Sequence, residues 1–190
     1  SENVYFLEHH AKQEGFELTM HPFCRNTVAA MDWGGTIMNR YMSRDNKSRH
    51  RRYTSDVFEM AAAIVNQASI QCIAIYPNNL SELPQHEIDF LKSVPTTWDE
   101  TRFIDGYPGR YVVLARRHGD KWYVAALNGT NKPLSLNLSL PMLAGKQVTY
   151  HYETADKKSL WPKSDVKTTK VGKNGKMKIV MQPMGGSIVY

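Results

Sequence analysis

Pro95 divides the chain into two textures, and that division constrains the fold more than any other feature. Before it, apolar residues recur mainly at helical spacing; beyond it, the apolar runs are short, β-rich and bounded by turn residues. On the far side, Tyr111–Arg116 and Lys121–Leu127 read as two strands joined by Arg117-His118-Gly119-Asp120, whose Gly-Asp suits a tight hairpin. Further strands are expected at Leu134–Leu140, Gln147–Tyr152, Thr168–Val171, Met177–Met181 and Ser187–Tyr190. Turn chemistry separates them at Asn128-Gly129, Gly172-Lys173-Asn174-Gly175 and Gly185-Gly186. The pattern predicts an antiparallel sandwich of roughly seven strands.

On the near side, residues 1–35 read as a strand, a loop and a second apolar segment. Tyr53–Asn66 is the clearest helix: Thr54 or Ser55 can cap it, and Val57, Met60, Ala61, Ile64 and Val65 fall on one face. Ile70–Tyr76 is a short apolar run, either a strand or the tail of the helical layer, and Glu87–Ser93 reads as a short amphipathic helix. The boundary between the two parts is expected between Leu80 and Thr97, giving units of 1–90 and 91–190. There is no internal repeat and no low-complexity segment.

A hydrophobic content of 42% over 190 residues fits a globular chain with ample core. No apolar run approaches the roughly 20 residues that span a bilayer, so no membrane span is expected. The sequence lacks an initiator Met and opens directly into Glu2-Asn3-Val4-Tyr5-Phe6-Leu7, as if in the middle of a strand. That start suits a piece of a longer protein whose targeting segment lies upstream. The net charge of +6 is locally concentrated, because Arg40–Arg52 carries six Arg/Lys against one Asp. Such a run can mark a nucleic-acid patch, but a binding face usually interleaves basic residues with aromatics. A solvated loop, with no nucleic-acid partner, is the expectation. Cys24 and Cys72 are too few for a disulfide framework and read as small core residues, not as a nucleophile or metal pair.

Two carboxylates near the start invite a chemical reading. Glycoside hydrolysis uses one protonated carboxyl to assist the leaving group and one ionised carboxylate as nucleophile or base. Glu2 and Glu8 stand six apart, roughly 20 Å on a continuous strand. Regular structure cannot bring them together; a strand end followed by a turning loop can. The sequence alone favours ordinary surface carboxylates near a chain end for both.

Four blocks, in order, carry a family resemblance. They are Glu2–Glu8 (ENVYFLE), His21–Asn26 with Ala30–Gly35 (HPFCRN, AMDWGG), the helix Ser55–Ser69, and Val94–Gly129 (VPTTWDETRFIDGYPGRYVVLARRHGDKWYVAALNG). The chain resembles the C-terminal third of glycoside hydrolase family 97, bacterial α-glucosidases and α-galactosidases. The resemblance implies an α/β plus all-β chain: the closing strands and helices of a (β/α)8 barrel, followed by a C-terminal antiparallel β-sandwich. It implies hydrolysis of terminal α-glycosidic bonds in an oligosaccharide substrate by the complete protein. By position, Glu8 would be the general acid and Glu2 a ligand to Ca2+. A histidine beside a sugar can hydrogen-bond its hydroxyls, and His9 and His10 directly follow Glu8; on a strand they point to opposite sides, so at most one of them is expected to face the site. Structural roles are expected for His21 and Asp32. The second catalytic carboxylate and the other calcium ligands would lie upstream of Ser1, so glucoside or galactoside specificity, and retention or inversion, stay open. A periplasmic or secreted location follows from the same resemblance. The partners would be the rest of the enzyme or another copy of the chain.

A reading from a different class also stands. The sandwich could be a non-catalytic carbohydrate-binding or interdomain-packing module. The binding-module reading would gain if three or more of Trp122, Tyr123, Tyr150 and Tyr152 were exposed on one face. Trp98, Trp122 and Trp161 could stack on sugars, but core or interdomain packing is the expected role.

Overall fold

The computed structural model describes residues 7–31 and 33–190. Its first element is a helix, α1 (Glu8–Met20), where the sequence suggested a loop. Ala11, Glu14, Gly15, Leu18 and Thr19 are buried on it, the 3,4 spacing of one helix face. Only two of those five are strongly apolar, which is why hydrophobic patterning does not reveal the helix. A 3-10 turn at His21–Phe23 leads into the short α2 (Arg25–Val28).

Next comes a βαβ unit. Strands β1 (Trp33–Ile37) and β2 (Gln71–Ala74) pair in parallel, and α3 (Asp56–Val65) lies between them in sequence. Ser55 caps α3, its hydroxyl accepting from the Phe58 N–H at 3.0 Å. All ten residues of α3 are buried, not one face only. Each large apolar side chain among them, such as Phe58, Met60 and Ile64, contributes about 1.5–3 kcal/mol by leaving water. The short helices α4 (Asn79–Glu82) and α5 (Gln85–Ser93) complete the layer.

The β part follows the sequence reading closely, with eight strands. They are β3 (Glu100–Tyr107), β4 (Tyr111–His118), β5 (Lys121–Asn128), β6 (Leu134–Ser139), β7 (Gln147–Thr154), β8 (Lys163–Lys170), β9 (Lys176–Met181) and β10 (Gly186–Val189). Six form one antiparallel sheet in the order β3-β4-β5-β10-β7-β8, and β6-β9 form a second, two-stranded one. β3 escapes the sequence reading because it is an edge strand with exposed Phe103 and a register shift between Phe103 and Asp105. β8, the opposite edge, presents exposed Lys163, Lys167 and Lys170, charges that discourage pairing with another sheet.

The large sheet is buried on both faces. One face packs Val113, Ala115, Trp122, Val124 and Ala126 against Leu138, Ile179 and Met181 of the small sheet. The other packs Val112, Leu114, Tyr123, Ala125, Leu127 and Ile188 against α3, Leu18 and Phe90. That second cluster runs across the expected 90/91 boundary without interruption. Adjacent residues Trp122 and Tyr123 therefore point to opposite faces and are both buried.

Glycine lets the helical layer approach the sheet. A Cβ on Gly186 would stand 2.5 Å from the Val57 carbonyl oxygen and 2.8 Å from Phe58 Cα, both backbone atoms of α3. Gly186→Ala must push α3 from β10. A loss of about 1–3 kcal/mol is expected in urea unfolding; a change under about 0.5 kcal/mol would show that α3 does not depend on that approach.

Candidate functional site

The largest concentration of buried charge lies where α1, α3 and the sheet meet. Arg52 is fully buried and donates to the carbonyls of Ile37 (2.6 Å) and Thr54 (3.1 Å) and to the Asp56 carboxylate. Arg40 adds a second cation to Asp56 at 2.9 Å. Burial alone would raise the Asp56 pKa, but Arg52 and Arg40 outweigh it and hold the carboxyl below its ordinary range. Burial likewise works against the Arg52 charge, and Asp56, Glu59 and Glu14 more than offset it.

The remaining buried carboxyls behave in the opposite way. Burial raises Glu59, and raises Glu14 well above the usual range with the Glu59 charge adding to it. Thr54 donates to both, and Glu59 also accepts from the Ile37 N–H at 3.2 Å. Glu153 on β7 accepts from the Ser55 hydroxyl, and burial pushes it up to about 8. Glu87 on α5 accepts from Ser164 on β8, and burial, followed by the Asp56 charge, pushes it up to about 7. The cluster thus ties α1, α3 and α5 to β7 and β8. Its geometry is that of a clamp, since each member has a hydrogen-bond partner inside the fold, although one carboxyl oxygen each of Glu14, Glu87 and Glu153 is left without one.

A carboxyl whose folded pKa exceeds the ordinary 4.5 adds its full stability below pH 4.5 and loses it as pH rises to the folded value. For Glu153 that window runs from 4.5 to about 8. Glu153→Gln keeps the shape and removes the titration. The melting temperature of the native chain should fall between pH 5 and 8, and the variant should fall less; parallel profiles would show that Glu153 does not titrate in that window.

The sequence-derived candidates sit elsewhere. Glu8 opens α1 and is exposed, with its carboxylate 2.9 Å from the Lys12 ammonium and 3.5 Å from the Tyr53 hydroxyl. The hydrogen bond from Lys12, and then its charge, lower the Glu8 pKa. His9 and His10 follow on the same helix; His9 is exposed, and His10 Nδ1 lies 3.9 Å from Glu17. Helical geometry, not strand alternation, spreads these three around the axis. Glu2 and Asp32 lie outside the described residues. His21 is partly buried beside Asn66, and burial lowers its pKa. Among the described residues no group of three or more His, Cys, Asp or Glu could hold a metal. A calcium site, which takes six to eight oxygens, would need ligands beyond them.

Other expectations are corrected by the packing. Cys24 and Cys72 are free, as expected, but exposed and not core. The basic run is solvated in its middle, where Arg44, Lys47 and Arg49 are exposed, but anchored at its ends: Arg52 is buried, Arg40 pairs with Asp56, and Arg51 lies over Tyr53 at 4.2 Å. Trp161 is buried and donates from Nε1 to the Arg52 carbonyl at 3.2 Å. Trp122 is covered by the Arg102 guanidinium at 4.7 Å, and Trp98 packs edge-on to Tyr123. Trp122, Tyr123 and Tyr150 are 9%, 7% and 6% exposed, so the row of exposed aromatics that a binding module would display is not formed. Among the described residues no helix is long and apolar enough to cross a membrane.

Comparison with known proteins places this architecture. Residues 97–190 match the family described as glycosyl-hydrolase 97 C-terminal, oligomerisation. A probable retaining alpha-galactosidase of Streptomyces bingchenggensis (strain BCW-1) is 33% identical over 107 residues, 56% of this chain and 16% of that protein. The retaining alpha-galactosidase of Bacteroides thetaiotaomicron is 26% identical over 172 residues, 88% of this chain and 26% of that protein. A crystal structure of a beta-arabinopyranosidase superposes on the whole chain with a TM-score of 0.91 and 46% identity, covering 29% of its own length. The chain thus spans under a third of each of these three relatives. Residues 97–190 are a glycosyl-hydrolase 97 C-terminal domain, and the chain is a C-terminal portion of glycoside hydrolase family 97.

Proposed function

We propose that this chain is the C-terminal part of a retaining exo-glycosidase that removes terminal α-galactosyl or β-arabinopyranosyl units from oligosaccharides. The observation that carries this is the 46% identity over the entire chain with a beta-arabinopyranosidase, joined by two relatives named as retaining alpha-galactosidases. These two substrate names are chemically compatible. A β-L-arabinopyranoside has the ring configuration of an α-D-galactopyranoside and lacks only the hydroxymethyl at C5.

In this reading the parallel β1-α3-β2 unit belongs to the closing part of a (β/α)8 barrel, completed by residues outside this chain. Glu8 is the general acid, and the nucleophilic carboxylate, required about 5–5.5 Å away for retention, comes from the rest of the protein. His9 and His10 are in reach of a sugar beside Glu8. Glu2 holds calcium together with upstream ligands, and a bound calcium ion would position a substrate hydroxyl or water. Export to the periplasm or medium, and assembly with a further copy, which the family description's word "oligomerisation" supports, belong to the same proposal. The ion pair with Lys12 favours the ionised form of Glu8, so an acid role requires substrate or the missing residues to weaken that pair.

The test uses the longer protein that contains this chain. Aryl α-galactoside and β-L-arabinopyranoside should be cleaved with retention at the anomeric carbon, seen by proton NMR; faster cleavage of an α-glucoside, or inversion, would contradict the proposal. Glu8→Gln should reduce turnover of unactivated glycosides by about 10²-fold or more and affect dinitrophenyl glycosides far less. Lys12→Met should move the basic limb of the pH profile upward, because the acid must be protonated and loses its neighbouring cation. Equal losses on both substrate types, with an unmoved pH limb, would make Glu8 structural.

A further inference from the structure

Arg116 stands on β4, beside Leu114 on the helix-facing side of the sheet, and is 2% exposed. Its Nη2 donates to the Val65 carbonyl at the end of α3, 3.1 Å away. Its Nε and Nη1 have no hydrogen-bond partner, and among the described residues no carboxylate pairs with it. Trp98 offers only a ring 6.0 Å from the guanidinium carbon. Burial draws the Arg116 pKa down to about 10, which leaves it charged at neutral pH. A buried cation with two unmatched donors is unfavourable by the full desolvation of those donors. Unlike Arg52, which the Asp56 carboxylate neutralises, Arg116 has no carboxylate beside it among the described residues, and the missing acceptor points to something bound from outside.

The guanidinium lines a groove of about 520 Å³ between α2 and the β3-β4 edge, a size typical of small-ligand sites. Its walls include Pro22, Phe23, Phe103 and Leu114, with Thr101 and Gln67 as polar neighbours. Phe23 and Phe103 meet edge to face with centroids 5.7 Å apart, and Phe103 is 59% exposed. Among the described residues no second Lys or Arg lines the groove. One guanidinium, already committed on one nitrogen, suits a single negative charge better than a phosphate dianion. The apolar walls would desolvate hydroxyls without replacing their hydrogen bonds.

We propose that this groove binds a small carboxylate carried on a compact apolar or aromatic body, with the carboxylate on Arg116 and the body against Phe23, Phe103 and Leu114. All walls come from this chain, so the site stands independently of the glycosidase reading. It makes no use of Glu8.

The probe is 3-phenylpropionate, titrated into the 190-residue chain and followed by NMR shifts and melting temperature. Saturable binding is expected, about tenfold or more tighter than for 3-phenylpropionamide, whose neutral amide forgoes the charge-assisted bonds. Galacturonate, a carboxylate on a polar body, should bind about tenfold more weakly than 3-phenylpropionate. Arg116→Met should abolish the acid-over-amide preference while leaving the fold intact, because it removes an unpaired buried charge and keeps the apolar stem. Phe103→Ala, at the exposed rim, gives a second variant that needs no core rearrangement and should weaken binding several-fold. Absence of saturable binding, equal affinity for acid and amide, or an unchanged preference in Arg116→Met would overturn the carboxylate site. Tighter binding of galacturonate would overturn the apolar body. Binding to the 190-residue chain but not to the longer protein would show that a segment of that protein fills the groove, and would also overturn the proposal.

Discussion

Burial of the six-stranded sheet on both faces is the constraint on which the rest of the structure depends. β6 and β9 cover one face, and α3, with Leu18 of α1 and Phe90 of α5, covers the other. Neither cover is dispensable, since each hides a stripe of valine, leucine, isoleucine or aromatic side chains. A free sandwich beginning near Thr97 would expose Val112, Leu114, Tyr123, Ala125, Leu127 and Ile188 together, an apolar patch that a soluble surface seldom carries. The helical layer is therefore part of the core of the β part. Gly186 permits the backbone approach of α3, and the buried clamp of Arg52, Asp56, Ser55 and Glu153 fixes its position.

This arrangement explains what the sequence could and could not reveal. The hairpin at Gly119-Asp120 and the helix capped by Ser55 were legible, because turn and cap chemistry act locally. The strands β4 to β7, β9 and β10 were legible from their apolar runs. The edge strands were less so: β3, with its register shift between Phe103 and Asp105, was missed, and of β8, rich in Lys, Asp and Thr, only the end from Thr168 was read, since an edge needs fewer apolar contacts and more charge. α1 was invisible for a different reason. Its buried face includes Glu14, Gly15 and Thr19, which become interior residues only through Thr54, Glu59 and the close backbone of Gly129. No local pattern announces such tertiary partners.

The chemistry divides in the same way. The family resemblance came from ordered blocks of residues and extends along the whole chain, whereas the buried charge clamp and Arg116 could not be read at all. Arg40–Arg52 looks like a surface run because charge is normally solvated. The burial of Arg52 at its end depends on Asp56 and on two carbonyls brought near by folding. Glu8 sits on a helix and not at a strand end, so its surroundings are set by Lys12 one turn later and by Tyr53 from a distant segment. The position of a candidate acid was thus readable, while its electrostatic environment was not.

The central claim is that the helical layer and the β-sheet form one cooperative unit. Native-state hydrogen exchange resolved by residue tests it most directly. Amides of Glu59–Val65 in α3 should exchange with the same opening free energy as those of Val124–Leu127 in β5 and Ile188 in β10. Exchange of α3 at a clearly lower free energy, with β5 still protected, would show that the sandwich stands without its helical cover and would contradict the account.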